Sequence, residues 1–255
     1  INATPDSFYG DSRQQNTDAV LKKAEQMLKE GATILDIGGQ STRPGSEKLT
    51  AEEELKRVIA PIEAIHKNFP EAYISIDTYY SLVAKEAVAV GASIVNDISA
   101  GSMDAEMIST VASLNVPYVL MHMQGTPQTM QNEPVYENVT KEILDFFIQK
   151  TAEFKKAGIK DIVVDLGFGF GKTIQHNFEL LRNLSVFKML NCPVLLGISR
   201  KSFIYKTLNV SVEDSLNGTT ALHFAGLTNG ASILRVHDVK EAVETIELIS
   251  AYQHH

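Results

Sequence analysis

The sequence predicts an α/β fold, a single-domain TIM-type (β/α)8 barrel, and three observations support this prediction. Eight short apolar runs occur along the chain, and segments with helical periodicity separate them. Nearly every run ends in a residue that can hydrogen-bond or carry charge, which is typical of barrels whose strand ends form an active site. The length of 255 residues is typical of one such barrel. An open doubly wound sheet is the lesser alternative.

The predicted strands are rich in leucine and β-branched residues, as buried parallel strands are. They cover residues 1–2, 33–36, 73–76, 93–95, 118–121, 162–164, 194–198 and 232–234. Their alternation with helices predicts parallel pairing through right-handed crossovers. Because the chain begins at Ile1 within a predicted strand, we expect further residues to precede it in the natural protein.

Each predicted helix follows one of these strands. The helices cover residues 17–30, 50–66, 81–90, 104–114, 139–157, 175–190, 212–227 and 239–252. Gly31 ends the first helix, and Thr50-Ala-Glu-Glu53 has the spacing of a capping box at the start of the second. Without a linker to divide the chain, residues 1–253 are assigned to one barrel. The two histidines at 254–255 are assigned to the remnant of an affinity tag.

Charge and cysteine content exclude several classes of protein. The net charge of −8 argues against a general nucleic-acid partner, which would favour a basic patch. The single cysteine, Cys192, excludes an intrachain disulfide and predicts a reducing, cytoplasmic compartment. A structural thiol is favoured over a nucleophile at that position. No apolar stretch approaches the ~20 residues that span a membrane, so no membrane partner is expected.

Asp77, Asn96 and Asp165 follow or end three predicted strands, so a barrel would point them into one cavity. Carboxylates and an amide offer acceptors and donors for a planar heterocycle that carries an amino group and a lactam. A structural polar network or an ion site is the alternative, and we favour ligand binding.

A glycine-rich segment, residues 165–172, follows the sixth predicted strand and does not match the P-loop fingerprint. Its glycines would let the backbone approach a ligand, and Phe168 or Phe170 would supply an aromatic wall. A tight turn that needs positive φ angles explains the glycines equally well.

Cationic residues follow the last two strands, in Ser199-Arg-Lys-Ser202 and Arg235-Val-His237. Phosphate sites of barrels commonly use these two loops, so a phosphorylated group is expected there. Lys201 could instead form a Schiff base, and a solvated basic turn is the structural alternative. His237 precedes Asp238, so a helix-capping pair is also possible.

Three long loops, at residues 4–16, 40–49 and 125–137, follow predicted strands, where long loops are often functional lids. The first two contain hydroxyl groups and, in the second, Arg43. Ordinary turn chemistry is the alternative, and their position at the strand ends favours function. His122 is left without a role, His66 is expected to be structural, and any metal is expected to arrive with a phosphate as Mg²⁺.

Taken together, seven motifs resemble the dihydropteroate synthase family of pterin-binding enzymes. They occur in the family's order over nearly the full chain. The motifs are Asn2-Ala-Thr-Pro-Asp-Ser-Phe8, Asp36-Ile-Gly-Gly-Gln-Ser-Thr-Arg-Pro-Gly45, Ser75-Ile-Asp-Thr78, Val95-Asn-Asp97, Asp165-Leu-Gly-Phe-Gly-Phe-Gly-Lys172, Gly197-Ile-Ser-Arg-Lys-Ser202 and Arg235-Val-His237. Gln40 departs from the pattern, because the family usually has Glu there.

The resemblance implies a folate-biosynthesis transferase that condenses 4-aminobenzoate with 6-hydroxymethyl-7,8-dihydropterin diphosphate, giving 7,8-dihydropteroate and pyrophosphate. By position, it implies that the pterin is bound by Asp77, Asn96, Asp165 and Lys201, with Ile98, Met121, Phe170 and Gly197 around it. It assigns Mg²⁺ to Asn2, the diphosphate to Arg43, Arg235 and His237, and the aminobenzoate to Thr42, Pro44 and Ser202. Asp165, Lys201 and Arg235 are the expected catalytic residues.

The family is usually dimeric and is a sulfonamide target, so a homodimer is expected. Two alternatives remain. One is a barrel that transfers a methyl group from methyltetrahydrofolate to a corrinoid protein, and the other is a non-catalytic pterin-binding protein. The loops Ser41-Thr-Arg-Pro-Gly45 and Ser199-Arg-Lys-Ser202 favour the synthase over the methyltransferase. The intact loops after the first two strands argue against a non-catalytic protein.

Overall fold

The structure is a computed structural model that describes residues 1–3, 13–40, 48–126, 130 and 134–254. Over these residues, strands alternate with helices, which confirms the predicted α/β class. The chain divides into two compact units. The first comprises Ile1–Leu120 with Glu153–Asp161, and the second comprises Met121–Ala152 with Ile162–His255.

In the first unit, four strands pair in parallel and in chain order. They are β1 (Ile34–Gly38), β2 (Tyr73–Asp77), β3 (Ile94–Asp97) and β4 (Tyr118–Met121), the last residue of which begins the second unit. The helices are α1 (Arg13–Lys29), α2 (Ala51–Asn68), α3 (Ser81–Ala89) and α4 (Met107–Leu114). Gly38 is in register with Asp77, and Asp77 with Asn96, so the side chains of Asp77 and Asn96 point to the same face.

In the second unit, β5 (Ile162–Asp165), β6 (Val194–Leu196) and β7 (Ile233–Leu234) pair in parallel. The helices of this part of the chain are α5 (Val139–Lys156), which extends into the first unit, α6 (Ile174–Arg182), α7 (Ser202–Leu208), α8 (Leu216–Thr228) and α9 (Val239–His254). Two 3₁₀ helices, Leu184–Leu190 and Glu213–Ser215, precede β6 and α8.

The first predicted strand is reduced to one bridge. Asn2 pairs in parallel with Gly38, Ala3 N donates to Gly38 O at 2.8 Å, and Gly38 N donates to Ile1 O at 3.1 Å. The described residues therefore contain seven strands and this bridge, instead of the eight strands that the sequence predicts.

Two predicted helices differ from the structure. The helix predicted over 175–190 ends near Asn183 and continues as a 3₁₀ helix, and the helix predicted over 212–227 begins with a 3₁₀ turn. Helix α7 was not predicted, because its seven residues are too few to show helical periodicity. The capping box of α2 is confirmed: Glu53 N donates to Thr50 Oγ1 at 3.2 Å, and Thr50 N donates to Glu53 Oε2 at 2.8 Å.

Apolar side chains of the strands form the core of each unit. Leu35, Ile37, Ile74 and Ile76 are buried in the first unit, and Val164 and Leu196 in the second. Among the described helices, none combines the length and the apolar character that a membrane span requires.

Glu54 on α2 is a buried carboxyl group in the first unit. It is 1% exposed, and its Oε2 accepts a hydrogen bond from Thr78 Oγ1 at 3.0 Å. Burial raises the pKa of Glu54 from 4.5 to about 7, and the nearby Asp77 charge adds to the increase. The pKa of Glu54 is therefore higher in the folded protein than in the unfolded chain. The stabilising contribution of Glu54 is fully present below about pH 4.5 and is lost as the pH rises through about 7.

We expect Glu54→Gln to remove this pH dependence and to raise the free energy of unfolding at about pH 8 relative to the parent protein. The shift from 4.5 to about 7 sets an upper limit of roughly 3 kcal/mol. Urea unfolding at about pH 5 and about pH 8 measures the effect. Glu63→Gln, at an exposed position of the same helix, is the control. An unchanged pH dependence in Glu54→Gln would contradict the assignment.

Candidate active site

The first unit presents a row of polar side chains at its strand ends. Asn96 is buried, and its Nδ2 lies 3.2 Å and 3.4 Å from the two carboxylate oxygens of Asp36. Asp36 and Asp77 are half-buried. The Asp36 contact orients the amide of Asn96, so Asp36 is a candidate site residue beyond those that the sequence predicts. The sequence signal for Asp36 is its position as a carboxylate at the end of the second predicted strand.

Asp97 follows Asn96 directly but has a structural role. It is fully buried and accepts hydrogen bonds from Tyr118 Oη at 2.6 Å, from Ser99 N at 2.7 Å and from Gly101 N at 2.8 Å. Burial raises the pKa of Asp97, while these donors oppose the increase. Asp97 thus closes the turn after β3. The next residue in the chain, Ile98, is buried.

Asp165 ends β5 and is the central carboxyl group of the second unit. It is 6% exposed, and its Oδ1 accepts a hydrogen bond from Gly167 N at 2.8 Å. Burial raises the pKa of Asp165, and the charges of Lys201, Arg235 and Lys172 oppose that increase. A buried carboxyl surrounded by cations has the electrostatic character of a functional site.

Lys201 precedes α7, and its Nζ donates a hydrogen bond to Phe168 O. The same Nζ lies 4.8 Å from the centre of the Phe170 ring, which is a cation–π distance. Burial lowers the pKa of Lys201 to about 8, and Asp165 opposes the decrease. The contacts of Lys201 Nζ with Phe168 O and the Phe170 ring favour a hydrogen-bond donor over a Schiff-base nucleophile.

Gly197, after β6, lies beside two of the charged residues. A Cβ atom there would lie 3.7 Å from Asp165 Oδ2 and 3.9 Å from Arg235 Cβ. Gly197 and Met121 are buried, whereas Phe170 is half-buried. Gly197 thus brings the backbone of the loop after β6 close to the second carboxylate oxygen of Asp165.

The glycine-rich turn contains three glycines with positive φ, at 65° for Gly167, 82° for Gly169 and 61° for Gly171. A Cβ atom on Gly167 would lie 1.9 Å from His122 O, and one on Gly171 would lie 2.6 Å from Gln124 O. These two glycines are therefore required for a close approach to the chain's own backbone, which supports the structural interpretation. A Cβ atom on Gly169 would instead lie 3.3 Å from Lys201 Cδ.

The loops after β6 and β7 are joined by Arg200. Its Nε and Nη2 contact the two carboxylate oxygens of Asp238 at 2.8 Å and 2.9 Å, and its Nη1 donates to Val212 O and Glu213 O. Arg200 thus has a structural role. Asp238 pairs with Arg200, so the alternative of a capping pair with His237 is not supported.

Arg235 and His237 lie on the loop after β7 and are exposed. His237 N donates to Ser199 Oγ at 3.2 Å. Partial burial and the neighbouring Arg235 charge lower the pKa of His237. Ser202 is the half-buried first residue of α7.

The remaining assignments concern single residues. Thr42, Arg43 and Pro44 lie outside the described residues. Gln40 is buried, and its Nε2 donates to Tyr79 Oη at 2.6 Å. His66 packs against Gly91, where an added Cβ atom would lie 2.4 Å from His66 Cγ, which agrees with a structural role.

Asn2 is exposed at the bridge to β1. The described part of the chain contains no group of three His, Cys, Asp or Glu side chains that could hold a metal ion. An amide oxygen is nevertheless a suitable Mg²⁺ ligand, because Mg²⁺ usually keeps several waters and takes one or two protein ligands with substrate phosphates. Asn2 therefore fits a metal that binds together with a diphosphate.

Comparisons with known proteins show which family the chain belongs to. Residues 1–237 match the family model described as "Pterin binding enzyme". The chain is 44% identical to the dihydropteroate synthase of Escherichia coli, over 98% of this chain and 89% of that protein. The crystal structure of the Yersinia pestis dihydropteroate synthase with a sulfonamide drug superposes with a TM-score of 0.92, at 39% identity, over 99% of this chain and 92% of that one.

A third relative is the Xanthomonas albilineans dihydropteroate synthase, solved with 4-aminobenzoic acid. It has a TM-score of 0.92 and 37% identity, over 100% of this chain and 92% of that one. The chain thus belongs to the pterin-binding enzyme family, and its similarity to dihydropteroate synthases over nearly its whole length confirms the transferase function that the sequence predicts.

Proposed function

We propose that the strand ends of the second unit carry the condensation of 4-aminobenzoate with 6-hydroxymethyl-7,8-dihydropterin diphosphate, with Asp165, Lys201 and Arg235 as catalytic residues. The observation that carries this proposal is the buried Asp165 carboxyl group, which lies close to Gly197 and is influenced by the charges of Lys201 and Arg235. Asp165 would accept hydrogen bonds from the amino group and ring N–H of the pterin, and Lys201 would donate to its lactam carbonyl.

Five further residues are proposed to complete the pterin site. Asp77 and Asn96 offer an acceptor and an amide, and the contact with Asp36 supports a fixed orientation for Asn96. Ile98, Met121 and Phe170 would supply apolar contacts, as the walls of most small-molecule sites do.

The proposed reaction breaks the bond between the pterin methylene carbon and the diphosphate oxygen first. The leaving oxygen keeps the electron pair, and the positive charge that remains on the pterin is stabilised by Asp165. The nitrogen of 4-aminobenzoate then attacks the methylene carbon and loses a proton. This dissociative route needs no protein nucleophile.

Arg43, Arg235 and His237 are proposed to bind the diphosphate, because cations there would stabilise the charge that develops on the leaving group. Asn2 would hold Mg²⁺, which would supply further charge stabilisation when bound. Thr42, Pro44 and Ser202 are proposed for the aminobenzoate site, on the basis of the family resemblance.

Three further expectations, on the oligomeric state, the location and the closure of the barrel, belong to the same proposal. A homodimer is supported by exposed apolar side chains on α7, α8 and α9, namely Leu208, Phe224 and Tyr252. A cytoplasmic location is supported by the single cysteine. The closed eight-stranded barrel is supported by the parallel bridge between Asn2 and Gly38, because a first strand would begin there.

Pyrophosphate release that requires 4-aminobenzoate tests the proposed function. We expect pyrophosphate only when the pterin diphosphate, Mg²⁺ and 4-aminobenzoate are all present, with one dihydropteroate formed per pyrophosphate. Methyl transfer from methyltetrahydrofolate without pyrophosphate would favour the methyltransferase. Tight pterin binding without turnover would favour a non-catalytic protein.

A further inference from the structure

Lys172 is a buried lysine that the proposed reaction does not use. Burial lowers the pKa of Lys172 to about 7, and the Asp165 charge opposes the decrease. It is 4% exposed, and its Nζ lies 2.9 Å from Phe170 O, 3.0 Å from Gly167 O and 3.1 Å from His122 Nδ1. An ammonium group has three N–H donors, so these contacts account for all of them. His122 O, at 3.5 Å, is a longer fourth contact.

His122 is the natural acceptor for this ammonium. Burial, together with the Lys172 charge, lowers the pKa of His122 to about 2, so the ring is neutral. With Nδ1 accepting from Lys172, the ring proton is assigned to Nε2. The edge-on Phe146 ring, 4.9 Å away between centres, fixes the imidazole plane, and His122 N donates to Asp165 O at 3.0 Å.

The turn that Lys172 holds also contacts both groups assigned to the pterin. Gly167 N donates to Asp165 Oδ1, and Phe168 O accepts from Lys201 Nζ. The Lys172 ammonium binds the carbonyls on either side of this segment, those of Gly167 and Phe170. A shift of the turn would therefore move the partners of Asp165 and Lys201 together.

We infer that Lys172 and His122 form a positioning pair, in which the His122 imidazole orients the Lys172 ammonium and the ammonium holds the 167–170 turn so that Asp165 and Lys201 face the pterin. This inference rests on the proposed function, because it assigns the pair to the pterin half-site. Lys172 itself is a poor candidate for a nucleophile or pterin ligand, since its donors are engaged by the chain's own acceptors.

Removal of the Lys172 ammonium should displace Asp165 and Lys201 and weaken pterin binding, with little effect on the KM for 4-aminobenzoate. In Lys172→Met, the chain keeps a buried apolar stem of similar length, but two carbonyls and an imidazole nitrogen lose their donor. Small displacements of a supporting shell reduce binding or rate by on the order of 10- to 100-fold. We therefore expect the Kd for the pterin diphosphate to rise by that factor and the KM for 4-aminobenzoate to stay within about 2-fold.

The first experiment measures pterin diphosphate binding by calorimetry in the parent protein, in Lys172→Met and in a control, Lys160→Met. Lys160 is exposed and lies just before the start of β5, whereas Asp165 is at the end of that strand. The loss of the Lys160 charge should therefore not affect the Kd. Thermal unfolding of the three proteins shows whether each is folded. A folded Lys172→Met with parental pterin affinity would overturn the inference.

The second experiment removes the acceptor instead of the donor. His122→Leu lacks an acceptor for Lys172, whereas the side-chain oxygen of His122→Asn can occupy nearly the position of Nδ1. We expect His122→Leu to weaken pterin binding and His122→Asn to restore most of it. This comparison decides the question if Lys172→Met does not fold, and equal affinities of the two His122 variants would count against the pair.

Nitrogen NMR of the histidine rings adds a signature that packing alone would not give. In the parent protein, His122 should appear as one neutral tautomer with its proton on Nε2 and a hydrogen-bonded Nδ1. In Lys172→Met, the Nδ1 signal should move towards that of a free imidazole nitrogen. A parent protein that binds no pterin would refute the proposed function, whereas parental binding in the variants would refute only this inference.

Discussion

Asp165→Asn should lower kcat/KM by about 10²- to 10³-fold, because the substitution removes the negative charge that stabilises the cationic pterin. The amide is nearly isosteric, and its oxygen can still accept the hydrogen bond from Gly167 N. Its NH₂ group, however, would face Lys201 and Arg235, which oppose the pKa increase of Asp165 through their charges. We therefore expect loss of turnover and weaker pterin binding in a folded protein.

The matched control for this change is Asp161→Asn. Asp161 is exposed and lies just before the start of β5, whereas Asp165 is at the end of that strand. The same chemical change at Asp161 should therefore leave kcat, KM and pterin affinity unaltered. Steady-state kinetics with both substrates, together with calorimetric binding of the pterin diphosphate, measure the two effects. Unchanged kinetics in Asp165→Asn would refute its placement against the heterocycle.

Arg235→Ala should chiefly weaken binding of the diphosphate. Loss of a charge-assisted contact with a phosphate corresponds to about 1.5–3 kcal/mol, which is roughly a 10- to 150-fold increase in Kd. The increase should be seen with the pterin diphosphate and be nearly absent with the 6-hydroxymethyl-dihydropterin alcohol, which has no diphosphate. The KM for 4-aminobenzoate should change little.

Arg182→Ala is the control for general charge effects, because Arg182 is an exposed arginine at the end of α6. Its variant should bind both pterins as the parent protein does. If Arg235→Ala altered only the KM for 4-aminobenzoate, the assignment of Arg235 to the diphosphate would be wrong.

Much of the fold could be predicted because the strands are encoded locally. The runs before Asp77, Asp97 and Asp165 are apolar and β-branched, and the structure forms strands at all three. The capping box at Thr50 was also predictable, since its two hydrogen bonds involve residues three positions apart. By contrast, α7 is too short for its periodicity to show.

The site was less predictable, because a polar residue at a strand end does not reveal which face it occupies or what it pairs with. Asn96 and Asp97 are adjacent, yet Asn96 contacts Asp36 while Asp97 closes a turn. Arg200 and Lys201 are also adjacent, but Arg200 pairs with Asp238, which lies 38 residues further along the chain. Contacts of this range are set by tertiary packing, and a single sequence does not encode them as a pattern.

Lys172 shows the same limit. The sequence presents it as the last residue of a glycine-rich motif, and His122 as an unassigned residue 50 positions earlier. Only their distance in the folded chain identifies them as a pair. Asp36, in contrast, carried a usable signal, because it is a carboxylate at the end of the second predicted strand and the first residue of a motif that supports the family assignment.

The most direct test of the central claim is a crystal structure of this protein soaked with 6-hydroxymethyl-7,8-dihydropterin diphosphate and 4-aminobenzoate. We predict that the amino and N–H edge of the pterin lies within hydrogen-bond distance of Asp165, with Lys201 at the lactam oxygen and Arg235 at the diphosphate. A pterin bound with no contact to Asp165, or a diphosphate bound away from Arg235, would contradict the account.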